Sequence, residues 1–206
     1  MRNTILITIF TIFTLTCNAE FTLHGGIGAS RVSSEITDRY INLETVKSKG
    51  SNITPSLLLG GGYLFNSKSN LQIGLELEVV TTEYKNTESF FSNDYKVKIS
   101  NISASLLSLK LVQNFEKVYI YGGVGLGIVY KEIYREVPSK NWSKKDEQTS
   151  NNFGFTVGAS YRFSSKSALF GEVKYIKSNT NSSFNKVGEE TKAIFLLFGY
   201  RYHFIN

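Results

Sequence analysis

An all-β chain closed into an eight-stranded antiparallel up-and-down transmembrane β-barrel is predicted by three observations. Eight segments alternate apolar and non-apolar residues with period two, the pattern of a strand with two different faces. The connectors between them are alternately long and very short, as in a barrel whose hairpins differ in length at its two ends. One face of each segment is apolar while the other collects glycines, hydroxyls and charges, the polarity of a barrel with lipid outside.

The 206 residues suffice for one domain. Hydrophobic residues make up 41%, yet no run of about 18 apolar residues occurs, so no mature transmembrane helix is expected. The start differs from the rest. Met1-Arg2 is basic, residues 5–15 are apolar apart from threonines, and Cys17-Asn18-Ala19 offers small residues for cleavage. Residues 1–19 are therefore predicted to be a signal peptide and residues 20–206 the barrel domain. Cys17, the only cysteine, leaves with that peptide, which excludes disulfides, thiolate ligands and a cysteine nucleophile. Losing Arg2 takes 23 basic residues to 22 against 17 acidic, a net charge of +5. This charge is dispersed rather than gathered into a patch, which argues against nucleic acid and fits anionic lipid headgroups.

The first strand is read at residues 21–31, with Phe21, Leu23, Gly25, Ile27 and Ala29 on one face and Thr22, His24, Gly26, Gly28 and Ser30 on the other. A polar connector spans residues 32–52. The second strand, residues 53–65, turns Leu57, Leu59, Tyr63 and Phe65 one way and Ser56, Gly60 and Gly62 the other. Pro55 lacks an amide hydrogen and is expected near the strand start. After a tight turn at residues 66–69 comes the clearest strand, residues 70–84. Leu71, Ile73, Leu75, Leu77 and Val79 face lipid, and Gln72, Gly74, Glu76 and Glu78 face inward. A helix would place Glu76 and Glu78 about 200° apart; a strand places them together.

The second long connector covers residues 85–95. In the fourth strand, residues 96–114, Ile102, Ala104 and Leu106 follow one phase and Leu107, Leu109 and Leu111 the other. A bulge near Leu106-Leu107 would reconcile them and turn Lys110 inward. A short turn at Phe115-Glu116 leads to the fifth strand, residues 117–133, with Tyr119, Tyr121, Gly123, Gly125 and Gly127 inward. The glycine run there does not fit a nucleotide-binding loop, because it lies inside a strand. Residues 134–148 form the third connector, and the sixth strand takes residues 149–163. The seventh strand covers residues 168–178, the fourth connector residues 179–190, and the eighth strand residues 191–204. An even strand number puts both ends beside the three short turns, hence in the periplasm, with the four long connectors outside. No second domain is expected.

Aromatic residues mark depth. Tyr63, Phe65, Tyr161, Phe163, Tyr202 and Phe204 are outward near the short turns, and Tyr130, Phe153 and Tyr175 near the long connectors, which fits two interfacial girdles. A soluble ligand-binding barrel would put its apolar face inside. Here the inward set contains Glu76, Glu78, Lys110, Arg162, Glu172, Lys174 and Arg201, a lumen charge network suited to a membrane barrel.

The closing residues Gly199-Tyr200-Arg201-Tyr202-His203-Phe204 resemble the last strand of outer-membrane barrels. Gly199, Tyr202 and Phe204 match the signal read by the barrel-assembly machinery, although Leu197 stands where a polar residue is usual and Ile205-Asn206 follow the usual terminal phenylalanine. The whole of residues 20–206 is similar to the small eight-stranded surface antigens, the OmpA/OmpX-like and opacity-protein-like barrels. That resemblance implies a monomer in the outer membrane of a Gram-negative cell, in contact with outer-membrane lipid or lipopolysaccharide.

Several functions share this architecture. The inward charges would either plug the narrow interior with ion pairs or line a gated, porin-like path. His24 and His203, the only histidines, would need a third ligand to hold a metal, and no metal or cofactor is expected. A serine-histidine lipid-modifying enzyme would need its histidine on the lipid side, and neither is placed there, so a non-enzymatic protein is expected. The external connectors mix charge with exposed Tyr40, Ile41 and Trp142, and loops on a rigid scaffold carry recognition of host or surface ligands.

Overall fold

The computed structural model describes residues 19–39, 45–65, 70–83, 86–90, 95–181 and 187–204. The residues before Ala19, which include most of the predicted signal peptide, the predicted turn at residues 66–69, and Tyr40 and Ile41 lie outside this set. The strands are β1 (Ala19–Arg39), β2 (Thr45–Phe65), β3 (Leu71–Thr82), β4 (Asn86–Phe90), β5 (Tyr95–Phe115), β6 (Val118–Val137), β7 (Trp142–Arg162), β8 (Ser167–Asn181) and β9 (Val187–Phe204). Neighbours pair antiparallel in the order β3-β2-β1-β9-β8-β7-β6-β5, and β3 pairs with β5 to close the ring. The short β4 pairs with the top of β5 and continues the stave begun by β3. The result is a closed eight-stranded barrel in which β1, β2, β3 and β5 to β9 are each hydrogen-bonded on both sides, the condition for crossing lipid without a helix.

The strands reach further than their alternation indicated. β1 and β2 pair from Ala19↔Phe65 up to Arg39↔Thr45. β6 and β7 pair from Val118↔Tyr161 to Val137↔Trp142, where Pro138–Lys140 form a single 3₁₀ turn. Much of the connectors read at residues 32–52 and 134–148, and part of those at 85–95 and 179–190, is thus strand. The polar outward face of those stretches hides it: beyond the apolar band the outer wall carries polar residues too, so the two-residue signal fades although Val32, Ser34, Ile133 and Val137 stay buried inside and pairing continues. A 21-residue strand spans about 70 Å along its axis, against about 9–11 residues needed in the bilayer.

Two further expectations are corrected. No bulge interrupts Leu106-Leu107. Ile102, Ala104, Leu106, Ser108, Lys110 and Val112 are buried in one unbroken phase, and the register shift lies between Ser100 and Ile102. Both faces are apolar at that height, and this mimicked a change of phase. Pro55 lies within β2 rather than near its start, opposite Ala29. Its carbonyl accepts a bond from Thr82 Oγ1 at 2.9 Å, so its amide edge points toward β3. The β2–β3 ladder ends at Ser56↔Thr82, one residue short of it. The missing N–H therefore removes no ladder bond.

The outward face carries an apolar band, including Leu23 and Ile27 on β1, Leu77 on β3, Phe155 and Val157 on β7, and Ile194 to Phe204 on β9. Such an outward apolar band is the part of a barrel that faces hydrocarbon. Depth can be tested directly. Leu77→Arg, at mid-strand, should destabilise the folded barrel by about 2–4 kcal/mol, whereas Leu71→Arg, at the periplasmic edge, should cost about 0–1 kcal/mol. Urea titrations in lipid vesicles read both, and equal penalties would contradict this placement of the bilayer.

Candidate functional site

The lumen is a stack of layers. In the middle, β3 points Glu76 and Glu78 inward, β5 points Lys110, β8 points Glu172 and Lys174, and β9 points Arg201, all buried. Lys110 Nζ donates to Glu76 Oε2 at 2.5 Å and to Glu78 Oε1 at 3.0 Å. Lys174 Nζ donates to Glu78 Oε2 at 2.6 Å and lies 3.5 Å from Glu172 Oε1. Arg201 Nη2 lies 3.1 Å from Glu76 Oε1. Three carboxylates thus meet three cations. Each long side chain needs room, and inward glycines supply it. A Cβ at Gly60 would lie 2.5 Å from His24 Nε2, one at Gly123 2.7 Å from Lys110 Cγ, and one at Gly158 2.7 Å from Tyr121 Oη.

The layer is dry. The side chains of His24, Glu78, Lys110, Glu172 and Lys174 have 0% exposure, and Glu76 and Arg201 only 5% and 6%. Charges removed from water this completely are tolerated only when paired and further hydrogen-bonded. Ser108 Oγ donates to Glu78 Oε2 at 3.1 Å, and Tyr121 Oη to Glu172 Oε2 at 3.1 Å. Arg201 and Lys110 also lie over the Tyr121 ring, at 5.4 and 5.1 Å.

His24, Glu76 and Glu78 bring three potential metal donors within 4.8 Å of one another. The position a cation would take between the two carboxylates is held by the Lys110 ammonium, and the layer is already neutral. The donor set fits an internal ion-pair network better than a metal.

Above the charged layer lies an apolar one, with Leu58, Val80, Leu106, Ile176, Phe195 and Leu197 buried in one cluster. Below it, Leu64, Val112, Tyr119 and Tyr121 form another. The order is legible along β5, where Val112, Lys110, Ser108 and Leu106 follow one another on the inward face.

Residues 10–204 match the family described as outer membrane protein beta-barrel domain. The chain belongs to that family. Among solved structures, the barrel is similar to OprG of Pseudomonas aeruginosa, with 16% identity, 92% of this chain and 98% of the other covered, and a TM-score of 0.58. A major outer membrane protein of Thermus thermophilus gives 11% identity, 90% and 99% coverage, and a TM-score of 0.51. Neisserial surface protein A gives 18% identity, 89% and 97% coverage, and a TM-score of 0.49. No curated protein matches the sequence. At such identities the likeness carries the fold, and the site has to be read from this outer membrane barrel itself.

Arg162 stands apart from the other inward charges. At the periplasmic rim its Nη2 donates to Glu20 Oε1 at 3.0 Å, and its guanidinium lies 4.8 Å from the Tyr119 ring centroid. His203 Nδ1 contacts the same Glu20 oxygen. This cluster ties β1 to β7 and β9, beside the seam where first and last strands meet. The two histidines therefore belong to different clusters. Glu20, Ser108 and the buried Lys131 were not singled out as site residues in the sequence. Parity along β5 and β6 marks the latter two as inward, whereas Glu20 stands at the predicted start of the barrel domain, where no alternation precedes it.

Tyr63, Phe65, Tyr161, Phe163, Tyr202 and Phe204, predicted to form one girdle, lie on the outer face at the end with the short turns, where Phe21 packs between Tyr63 and Phe204 at 5.2 and 5.3 Å. Tyr130, Phe153 and Tyr175 are outward at the far end. Gly199 faces the lumen, where a Cβ would lie 2.1 Å from Gly25 O and 2.7 Å from Phe170 Cε1. Leu197, also inward, is fully buried in the apolar layer. Trp142 begins β7 at the hairpin tip and is 43% exposed. Nearby, Lys145 Nζ donates to Glu132 Oε1 at 2.8 Å and lies over the Tyr134 ring at 5.5 Å, and these contacts hold the lysine's pKa above its ordinary value.

Proposed function

We propose that this outer membrane barrel is a non-enzymatic, non-conducting surface scaffold, and that its tall extracellular hairpins carry recognition of ligands outside the cell. The observation that carries this reading is the dry lumen. An ion path would have to wet Lys110, Lys174 and Glu78, whose side chains have no exposed surface. It would then have to pass the apolar layer of Leu58, Leu106, Phe195 and Leu197. The inward burial of both histidines supports the non-enzymatic part, because a lipid-side hydrolase needs its base on the outer wall. A closed barrel leaves no sheet edge open, which supports a monomer.

Conductance tests the first part. In planar bilayers the protein should give no stepwise current, and Arg162→Ala with Arg201→Ala should give none either, because the apolar layer remains. Channel openings in either form would overturn the reading. Recognition is tested at the hairpin tip, since removing residues 32–52 or 134–148 would take buried Val32, Ser34 and Val137 out of the barrel wall. A variant with residues 138–141 exchanged for a two-residue turn and Trp142→Ala should lose binding of expressing bacteria to cultured epithelial cells. Undiminished binding would count against this hairpin, and altered lipid A after overexpression would favour an enzyme.

A further inference from the structure

Just above the apolar band, the outer wall of β1, β8 and β9 carries three basic side chains. Lys192 on β9 is directly opposite Lys177 on β8, and Arg31 on β1 is opposite Ile194, two residues along β9 from Lys192. All three follow the outward parity of their strands. Like charges directly opposite one another repel, and here Glu190 relieves the clash. Its Oε1 lies 3.0 Å from Lys177 Nζ and 2.9 Å from Lys192 Nζ. These hydrogen bonds hold the Glu190 carboxyl below its ordinary pKa and keep Lys192 cationic. The lysine side chains are still 42% and 51% exposed. Arg31 Nε donates to Ser51 Oγ at 3.2 Å, which fixes the guanidinium against the wall. Glu35 also acts on Lys192, so among the described side chains three cations face two carboxylates.

Below this cluster the lipid-facing wall carries shallow, open hollows. Two adjoining recesses, of about 880 and 710 Å³, share Ile27, Leu57 and Phe198 and run down past Pro55 and Gly25. Gly25 lets the lower recess approach the β1 backbone, since a Cβ there would already stand 3.3 Å from Leu59 Cδ2. Barrel closure requires neither the basic cluster nor the recess beneath it. Together they match a molecule with an anionic head and an apolar tail, set at the height where the hydrocarbon core gives way to headgroups.

We propose that this wall is a fixed binding site for a phosphorylated, multiply acylated lipid of the outer leaflet, its phosphate on Arg31, Lys177 and Lys192 and an acyl chain in the recess lined by Gly25, Ile27, Leu57 and Phe198. A soluble polyanion would use the cations and leave the recess empty; an uncharged lipid would use the recess and leave the cations. Only the amphiphile engages both.

The test uses the full chain purified in mild detergent, loaded with bis-phosphorylated lipid A and followed by native mass spectrometry. Each basic side chain adds about 1 kcal/mol against an anionic lipid, so one removal should weaken retention roughly fivefold and two roughly 30-fold. Arg31→Ala with Lys192→Ala should show the larger loss, and Lys145→Ala, on another hairpin, none. Glu190→Gln should strengthen retention. Gly25→Leu, which fills the recess, should weaken it while leaving the basic cluster intact. Folding of each variant is read from its heat-dependent gel mobility; if the double variant fails to fold, Glu190→Gln and Gly25→Leu decide. Equal retention by wild type and a folded Arg31→Ala/Lys192→Ala variant would overturn the proposal. Should the double variant not fold, unchanged retention in Glu190→Gln and Gly25→Leu would overturn it. Displacement by inorganic phosphate or deacylated headgroup as effective as by lipid A would also overturn it, leaving only a general anion site.

Discussion

Replacing Glu78 with alanine is expected to cost the barrel about 3–5 kcal/mol of unfolding free energy. Glu78 receives Lys174 at 2.6 Å, Lys110 at 3.0 Å and Ser108 at 3.1 Å, and lies 3.3 Å from His24. Without it, three carboxylates and three cations become two and three, and Lys174 keeps only Glu172, at 3.5 Å. Water cannot compensate, because Lys174 has no exposed surface. The penalty is thus that of a buried, half-matched cation rather than of one lost hydrogen bond. The same logic predicts repair. Glu78→Leu combined with Lys174→Met leaves Glu76 and Glu172 against Lys110 and Arg201, a neutral set, and should recover most of the loss. Urea titration in lipid vesicles of wild type, both single variants and the double variant gives the coupling energy. A double variant no more stable than Glu78→Leu alone would mean that Lys174 is not held by this carboxylate.

Strand parity made much of this architecture legible, and the exceptions have physical causes. Alternation of Leu71, Ile73, Leu75 and Leu77 with Gln72, Glu76 and Glu78 is a direct imprint of lipid on one side and lumen on the other, so β3 was readable throughout the bilayer. β5 was harder because Leu106 and Leu107 are both apolar for different reasons, one filling the lumen and the other facing lipid. Above the membrane the imprint fades, which is why the paired strand around Tyr134 and Lys145 reads as connector. The inward direction of Glu76, Lys110 and Glu172 followed from parity. Their division into one central layer, with Arg162 apart at the rim, did not, since that depends on the stagger between strands distant in sequence. The stacking of an apolar layer on the charged one was hidden for the same reason, although Phe195 and Leu197 alternate visibly with Leu196 and Phe198.

That apolar layer sets the second large effect. Phe195→Ala is expected to destabilise the barrel by about 3–5 kcal/mol. Phe195 is 1% exposed and packs with Leu58, Leu106, Ile176 and Leu197, whose positions are fixed by strands hydrogen-bonded on both sides. The wall cannot collapse inward to fill the space, so the cavity term of the penalty is retained almost whole. Phe198, three residues on and pointing out, is 58% exposed to surrounding lipid. Phe198→Leu should cost less than about 1.5 kcal/mol, because fluid acyl chains fill the volume that a fixed wall cannot. The two substitutions also separate packing from conduction. In Phe195→Ala the ion-paired layer below is untouched, so the protein should lose stability in urea without gaining conductance in a planar bilayer. A Phe195→Ala barrel that conducts would show that the apolar layer alone closes the lumen and that the charged layer beneath it passes ions.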